Sequence, residues 1–368
     1  MPMLALMAGL LAGCSRGPAL AAAATPAAAR ELFLYTWSDF FPPDLLADFT
    51  RETGTQVHAV IFPTQEALEA TMLTGHSNYD VVVVGADELG RLTRTPVFRE
   101  LDRARLPNWP NLDPEVMARL AGDDIGNRHA VAYDWGTAGI AFNLTKLKQV
   151  APDVKLDSWQ QIFDPATLAR LSRCGMSVVD APTELVAVAL IADGKDPNST
   201  DPADLEAAGR KLMAIRPYVR KIDGDMQITD LASGDICLMV TWPSNFVIAR
   251  RRAAEAGVHD ELRYVIPKEG AHTFIDALAI PADAPHPDAA YAFINFLTRA
   301  DVAARGVNFV GNASANLAAW PQVDELLRGD PAIYPPPDVR RKLVSLHARP
   351  DAANRIVTRM WTRFRTGH

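Results

Sequence analysis

A short apolar segment that stops abruptly is the feature that most constrains the fold of this chain. Residues 32–35 form a continuous run of large apolar side chains, which is typical of a buried β-strand. The proline pair at 42–43 then favours the first turn of a helix and excludes a continuing strand. Trp37, Ser38 and Asp39 therefore lie in a strand-to-helix loop at the carboxyl end of the strand, where open α/β sheets bind ligands.

These loop residues suit a cationic ligand. The face of an indole ring and a carboxylate both attract positive charge, so Trp37 beside Asp39 is a combination expected for an organic cation. The alternative is structural, with Asp39 capping the next helix and Trp37 in the core. The local sequence alone leaves both interpretations open.

The segment up to residue 100 alternates strands and helices. A helix is predicted over 43–53 and ends at Gly54, the next strand covers 56–62, and a β-branched run at 79–84 predicts a fully buried third strand. This order implies a mostly parallel sheet with right-handed crossovers. It places Asp87, which follows the third strand, in the same layer as the first loop.

A second α/β unit follows a long extended stretch at 130–143, which indicates a crossover between two lobes. A buried strand is predicted at 236–242, and it ends at Trp242, with Asn245 shortly after it. The chain then crosses back at 263–279. Two crossings imply a hinge with a cleft between the lobes.

The second crossing contains an acid that needs a partner. Asp276 follows Phe274 in an otherwise apolar run, and an unpaired buried carboxylate is costly.

The fold class predicted is α/β with two lobes and an interlobe cleft. The predicted ranges are 31–136 with 258–310 for the first lobe and 137–257 with 311–368 for the second.

The first 30 residues are excluded from the predicted fold. Residues 1–11 are apolar, and the sequence LAGC at 11–14 matches the lipobox of bacterial lipoproteins, which implies cleavage before Cys14 and acylation of its thiol. No Lys or Arg precedes Arg16, so a plain secretory signal that is cleaved later stays open. Residues 15–30 are alanine-rich and low in complexity, which predicts a flexible tether.

Composition narrows the function. The net charge of −7 argues against a nucleic-acid partner and is compatible with a cationic ligand. No Cys-x-x-Cys motif occurs and the 8 histidines are scattered singly, so no metal is expected. No G-x-S-x-G motif points to an enzyme, and no cofactor is expected.

Export implies an oxidising compartment, where Cys174 and Cys237 would pair; two buried free thiols are the alternative.

Several longer motifs occur in order, and together they resemble one family. They include YTWSDF at 35–40, YDVVVV at 79–84, RCGMSVVDAP at 173–182, LASGDIC at 231–237 and IYPPPDVRRKL at 333–343. With these motifs the chain resembles the periplasmic polyamine-binding proteins of ABC importers, nearest to the putrescine-binding branch. The resemblance covers about residues 31–367.

The resemblance implies a type II periplasmic-binding fold, in which an extended diamine or polyamine is held in the cleft. Cys174 and Cys237 fall on the disulfide positions of the family. The ligand-binding positions that carry over are Trp37, Ser38, Asp39, Ala181, Glu184, Trp242, Phe274, Asp276 and Leu346.

The chain also departs from the family pattern. Asn245 replaces an acid, Asn312 and Phe40 replace tyrosines, and Gly85 replaces a serine, whereas Asp87 stands where a small or aromatic residue is usual. One acid is thus lost at position 245, and Asp87 is the candidate replacement. Asparagine cannot neutralise an ammonium, so putrescine is expected to bind weakly. The cargo would then be another polyamine, or a molecule with one amine end and one neutral or guanidinium end.

These features predict an exported, periplasmic solute-binding protein without enzymatic activity. It would capture a polyamine or related linear amine and deliver it to an ABC permease. We expect a monomer that contacts the membrane only through a lipid anchor, if one is attached. The alternative is a ligand sensor of the same fold that reports to a membrane receptor.

Overall fold

The computed structural model describes residues 30–224 and 226–367, so the predicted signal segment and Cys14 lie outside the described residues. The strands are β1 (Arg30–Thr36), β2 (Thr55–Ile61), β3 (Val81–Gly85), β4 (Ala130–Thr137), β5 (Gly139–Asn143), β6 (Met176–Val178), β7 (Val219–Ile222), β8 (Leu238–Thr241), β9 (Leu262–Val265), β10 (Ala271–Ala279), β11 (Ala313–Ser314) and β12 (Leu343–Ser345).

Helices surround these strands. The α-helices are α1 (Pro43–Thr53), α2 (Gln65–Leu73), α3 (Ala86–Leu92), α4 (Pro114–Leu120), α5 (Leu144–Val150), α6 (Trp159–Ile162), α7 (Pro165–Leu171), α8 (Pro182–Ala192), α9 (Pro202–Ile215), α10 (Met226–Ser233), α11 (Pro243–Glu255), α12 (Pro287–Leu297), α13 (Ala300–Val310), α14 (Glu325–Arg328), α15 (Pro337–Arg340) and α16 (Asp351–Thr366). Short 3₁₀ segments lie at Arg103–Arg105, Trp109–Asn111, Arg216–Tyr218 and Leu317–Gln322. Among the helices of the described residues, none has the length and hydropathy of a membrane span.

The first sheet is built on three parallel strands. β1 pairs with β2 on one side and with β3 on the other, as the alternation of strands and helices predicts. β10 then runs antiparallel to both β3 and β4, β11 pairs with β4 at the far edge, and β12 pairs with the start of β10. All residues of β3 are buried, which explains why it forms a continuous apolar run in the sequence.

The second sheet has the strand order β7-β6-β8-β5-β9. β6 is parallel to β7 and β8, whereas β5 is antiparallel to β8 and β9. Each sheet carries its own helices, and we refer to each sheet with its helices as a lobe. The architecture is therefore the α/β, two-lobed fold that the sequence predicts.

The chain passes between the two sheets at two points. Ala138 alone separates β4 of the first sheet from β5 of the second, and residues 266–270 connect β9 to β10. A Cβ atom at Gly139 would lie 2.3 Å from the ring of Tyr264, so only glycine allows this tyrosine to pack over the crossing. The Tyr264 hydroxyl donates a hydrogen bond of 2.6 Å to the Thr137 carbonyl. The crossing is thus tightly packed.

Strand pairing differs from the predicted lobe boundaries at three short strands. β9 lies in the second sheet, although 258–310 was predicted to belong to the first lobe. β11 and β12 join the first sheet, although 311–368 was predicted to belong to the second. Strands of two to four residues carry no readable periodicity, so tertiary pairing decides their position.

The predicted disulfide is confirmed. Cys174 precedes β6 and Cys237 precedes β8, and the parallel pairing of these strands brings the two Cα atoms to 5.4 Å. The bridge closes a loop with a sequence separation of 63 residues within the second lobe.

Removing this bridge with Cys174→Ser and Cys237→Ser is expected to lower the free energy of unfolding by roughly 2–4 kcal/mol, because the unfolded chain regains the entropy of an open loop. Urea unfolding of the wild type with and without a reductant measures the effect. The double variant is the control, because the reductant should leave its midpoint unchanged. An unchanged wild-type midpoint after complete reduction would contradict the expectation.

Candidate functional site

The loop after β1 begins at the carboxyl end of this strand. The ring of Trp37 packs 4.2 Å from that of Phe62, centroid to centroid, while Ser38 and Asp39 are exposed. Asp39 has a φ of 51°, in the left-handed region that aspartate tolerates better than most residues. The N-cap of α1 is Pro42, without a side-chain cap, so Asp39 does not cap this helix.

Phe40 takes a packing position. Its side chain is buried, and its ring lies 4.9 Å from that of Phe41 and 5.6 Å from that of Tyr133, centroid to centroid. It was predicted as a ligand-binding residue because it stands where the family has a tyrosine. Its contacts make it part of the core of the first lobe.

Two carboxyl groups face each other in the first sheet. Asp276 on β10 is the direct cross-strand neighbour of Asp134 on β4, which places the two side chains on the same face of the sheet. Trp37 also hydrogen-bonds Asp276, so the indole and the acid that the sequence predicted are together. Burial raises the pKa of Asp276 to about 7, the hydrogen bonds from Trp37 and Asp134 oppose this shift, and the charges of Glu184 and Asp87 add to it.

Asp134 is the functional residue that sequence reasoning missed. It is 0 % exposed, and burial, followed by the charge of Asp276, raises its pKa well above the usual range. The side chain of Asn312, also buried, donates a hydrogen bond of 3.2 Å to Asp134 Oδ2. The signal was present, because Asp134 is an acid in a strand whose every residue is buried.

The second lobe contributes a carboxylate and an indole. Glu184 lies in the first turn of α8, and its Oε2 accepts a hydrogen bond of 2.6 Å from Nε1 of Trp242, the N-cap of α11. The Nε2 atom of His272, on β10 of the first sheet, lies 3.2 Å from the same oxygen but makes no hydrogen bond. Glu184 thus lies where the two lobes meet, and His272 is a second residue that was not predicted.

One cavity is lined by both lobes. Its walls include Asp87, Glu184, Phe274 and Leu346, all of them predicted ligand-binding residues. Burial raises the pKa of Asp87, and the charge of Glu184 is the next largest cause. The predicted residues from four distant parts of the chain therefore share one surface between the sheets.

Two further predicted residues, Ala181 and Asn245, do not line this cavity. Ala181 is half-buried and is the N-cap of α8. Asn245 is buried, and its Nδ2 donates hydrogen bonds of 3.0 Å to the Gly224 carbonyl and to the Thr241 hydroxyl. Both amide hydrogens of Asn245 are therefore engaged within the second lobe.

The acids of this surface lack positive partners. Within the described residues, Asp39, Asp87, Asp134 and Asp276 form no ion pair with Lys, Arg or His; Glu184 has only the His272 contact. In the same described part of the chain, no cluster of His, Cys, Asp and Glu has a metal-binding arrangement. Uncompensated carboxyls beside indole and phenyl rings are the environment that an organic cation requires.

Comparison with known proteins identifies the family of this chain. The model of the bacterial extracellular solute-binding protein family matches residues 44–328. The chain belongs to this family. The putrescine-binding periplasmic protein SpuD of Pseudomonas aeruginosa is 40 % identical over 363 residues, which cover 98 % of each chain. The putrescine-binding periplasmic protein PotF of Escherichia coli is 41 % identical over 363 residues, again 98 % of each chain.

A solved structure has the same fold as this solute-binding protein. The spermidine/putrescine ABC transporter substrate-binding protein PotD of Streptococcus pneumoniae superimposes with a TM-score of 0.77 at 25 % identity. The alignment covers 92 % of this chain and 99 % of that one. The predicted family and fold are confirmed.

The first prediction from this site concerns Asp276→Asn, which should stabilise the ligand-free protein at pH 8 by about 1–3 kcal/mol, because it removes a desolvated charge. A carboxyl with a raised pKa holds its proton more tightly in the folded state, so stability falls as pH rises from about 4 to about 7. The benefit should therefore vanish near pH 4. Urea unfolding at both pH values measures it, with the exposed Asp338→Asn as control; equal effects at both values would contradict it.

The second prediction concerns the wall of the cavity. A Cβ at Gly136 would lie 2.5 Å from Cζ of Phe274, so Gly136→Ala must displace this ring. We expect a loss of about 1–3 kcal/mol of stability from overpacking, measured by urea unfolding. Gly224→Ala is the matched control, because a Cβ there would meet nothing within 4 Å. The expectation fails if both variants unfold at the same urea concentration.

Proposed function

We propose that this protein captures a linear amine with a positive charge at each end and delivers it to an ABC permease. The observation that carries the proposal is a group of acids from both lobes at one cavity. Asp87 of the first lobe and Glu184 of the second line this cavity, and Asp276 directly follows its lining residues Phe274 and Ile275. In the described part of the chain, none of these three acids forms an ion pair with Lys or Arg. The charges of Glu184 and Asp87 raise the pKa of Asp276, and the charge of Glu184 raises the pKa of Asp87, so the site lacks the positive charge that a ligand would supply.

The chemistry of such a ligand matches the two kinds of side chain in the site. A charged hydrogen bond from an ammonium to a carboxylate contributes about 1.5–3 kcal/mol. The methylenes between the charges gain about 0.8 kcal/mol each when aromatic side chains such as Trp242 and Phe274 cover them. Trp37, Ser38 and Asp39 would bind one end, and Glu184 and Asp87 the other. Ala181 and Leu346 would complete the walls.

The relatives support an amine but not one particular amine. SpuD and PotF are named for putrescine, and another Pseudomonas aeruginosa relative, 39 % identical over 350 residues, is named a putrescine/agmatine-binding protein. Asn245 stands where the family has an acid, and its amide hydrogens are already engaged. We therefore propose that putrescine binds weakly and that a longer polyamine or a guanidino amine binds better.

The site of action follows from the same relatives. Both SpuD and PotF are named periplasmic proteins, and we propose a periplasmic location here. The lipobox ending at Cys14 supports an anchored form, in which an acyl chain holds the protein at the membrane. We propose delivery to a permease in preference to the sensor alternative, because the PotD structure is described as part of an ABC transporter.

Isothermal titration calorimetry with putrescine, cadaverine, agmatine, spermidine and spermine tests the proposal. At least one of these amines should bind, and butylamine, which lacks the second charge, should bind much more weakly. Glu184→Gln and Asp276→Asn should each weaken binding by about tenfold to a hundredfold, the equivalent of one charged hydrogen bond. Asp338→Asn is the control, and the absence of binding heat with all five amines would refute the proposal.

A further inference from the structure

The Asp134–Asp276 pair is the least explained feature of the site. Asp134 is fully buried, and within the described residues it has no ion pair. Its Oδ2 atom accepts a hydrogen bond from Asn312, whereas its Oδ1 atom accepts none. Asp134 and Asp276 are direct cross-strand neighbours, so their carboxyl groups lie on the same face of the sheet, and two adjacent carboxyls can share a hydrogen bond only when one of them holds a proton.

The position of each carboxyl shows which one holds this proton. Two adjacent carboxylates do not both ionise unless a cation joins them, and the more buried one keeps its proton. Asp134 is 0 % exposed, whereas Asp276 is only partly buried and is hydrogen-bonded to Trp37, which stabilises its charged form. Because Oδ2 of Asp134 already accepts a hydrogen bond from Asn312, the proton belongs on Oδ1, the atom that otherwise has no partner.

We propose that Asp134 is a protonated carboxylic acid at neutral pH, and that its Oδ1–H donates a hydrogen bond to the Asp276 carboxylate and positions it for the amine. Asp134 is thus a positioning residue, which acts through Asp276 and not by its own contact with the ligand. The ligand part of this inference rests on the proposed function; the protonation of Asp134 does not.

The surroundings of the pair favour the protonated form. The titratable groups that act on the two carboxyls are acids and phenols, and the described residues include no Lys or Arg within ion-pair distance of either. His272, on β10, lies beside Glu184. The other titratable groups that interact electrostatically with the pair are Tyr133 on β4, Tyr334 before α15, Asp87 in α3 and Glu184 in α8.

This protonation state sets the charge that the ligand meets. Asp134 and Asp276 together present one negative charge, which matches one ammonium or guanidinium group. The second acid of the pair then serves as a neutral donor, as an asparagine amide would. This assignment differs from a site in which two carboxylates both contact the cation, and the two alternatives respond in opposite ways to Asp134→Asn.

Infrared spectroscopy tests the protonation without any ligand. Protein with ¹³C-labelled aspartate carboxyls, at pH 7.5, should show the carbonyl band of a protonated aspartic acid, and part of this band should be missing in Asp134→Asn. The band should persist when the labelled wild type is saturated with the tightest-binding amine of the panel. No protonated aspartic acid in the wild type, or loss of the band on amine binding, would overturn the proposal.

Calorimetry tests the positioning role. Asp134→Leu removes the donor and should weaken amine binding at pH 7 by about tenfold or more. It should also move the pH at which affinity is half lost upwards, because the Asp276 carboxylate loses a stabilising hydrogen bond. Asp134→Asn should restore most of the affinity and the wild-type pH midpoint. If Asp134→Asn binds as weakly as Asp134→Leu, Asp134 is a second anionic contact and the inference is wrong.

The two proposals fail separately. If no amine binds the wild type but the infrared band is present and is smaller in Asp134→Asn, the proposed function is refuted and the protonation of Asp134 stands. If amines bind and the band is absent, the inference is refuted and the proposed function stands. Circular dichroism of each variant shows whether it is folded, and absence of the band in the labelled wild type refutes the inference without any variant.

Discussion

The charge properties of the cleft depend on the desolvation and mutual repulsion of carboxyl groups that the first lobe holds close together. Asp276, Asp134 and Asp87 all have raised pKa values, and burial is the largest cause for each. The fully buried valines of β3 and the disulfide of the second lobe are among the features that stabilise the fold against this cost. The cost is therefore concentrated where a cation can remove it.

Much of the fold was predictable because local chemistry decides it. The helix predicted over 43–53 is observed as α1, and Gly54 ends it with a φ of 71°, a conformation that glycine adopts without strain. The parallel order of β1, β2 and β3 follows from alternating strands and helices. The lobe membership of β9, β11 and β12 was not predictable, because pairing with distant strands determines where such short segments lie.

The site residues were likewise predictable where the local sequence decides their position, and not where tertiary packing decides it. Trp37, Trp242 and Glu184 are at strand or helix ends, where the sequence pattern locates them. Phe40 has the same sequence context but turns into the core, a choice that depends on the space beside Tyr133. Asp134 and Asp276 have the same sequence signal, an acid within an apolar strand. Only their cross-strand register shows that they are neighbours.

The distribution of charge between the lobes has a mechanical consequence. The first lobe carries Asp39, Asp87 and Asp276, whereas Glu184 is the acid that the second lobe brings to the cavity. A cation therefore meets most of the attractive potential on one lobe before the other contacts it. Glu184 with Trp242 then adds attraction that exists only when the lobes are close, so ligand charge favours the closed arrangement over the open one. A ligand shifts such an equilibrium only as far as its affinities for the two arrangements differ, and the carboxylate on the second lobe supplies that difference.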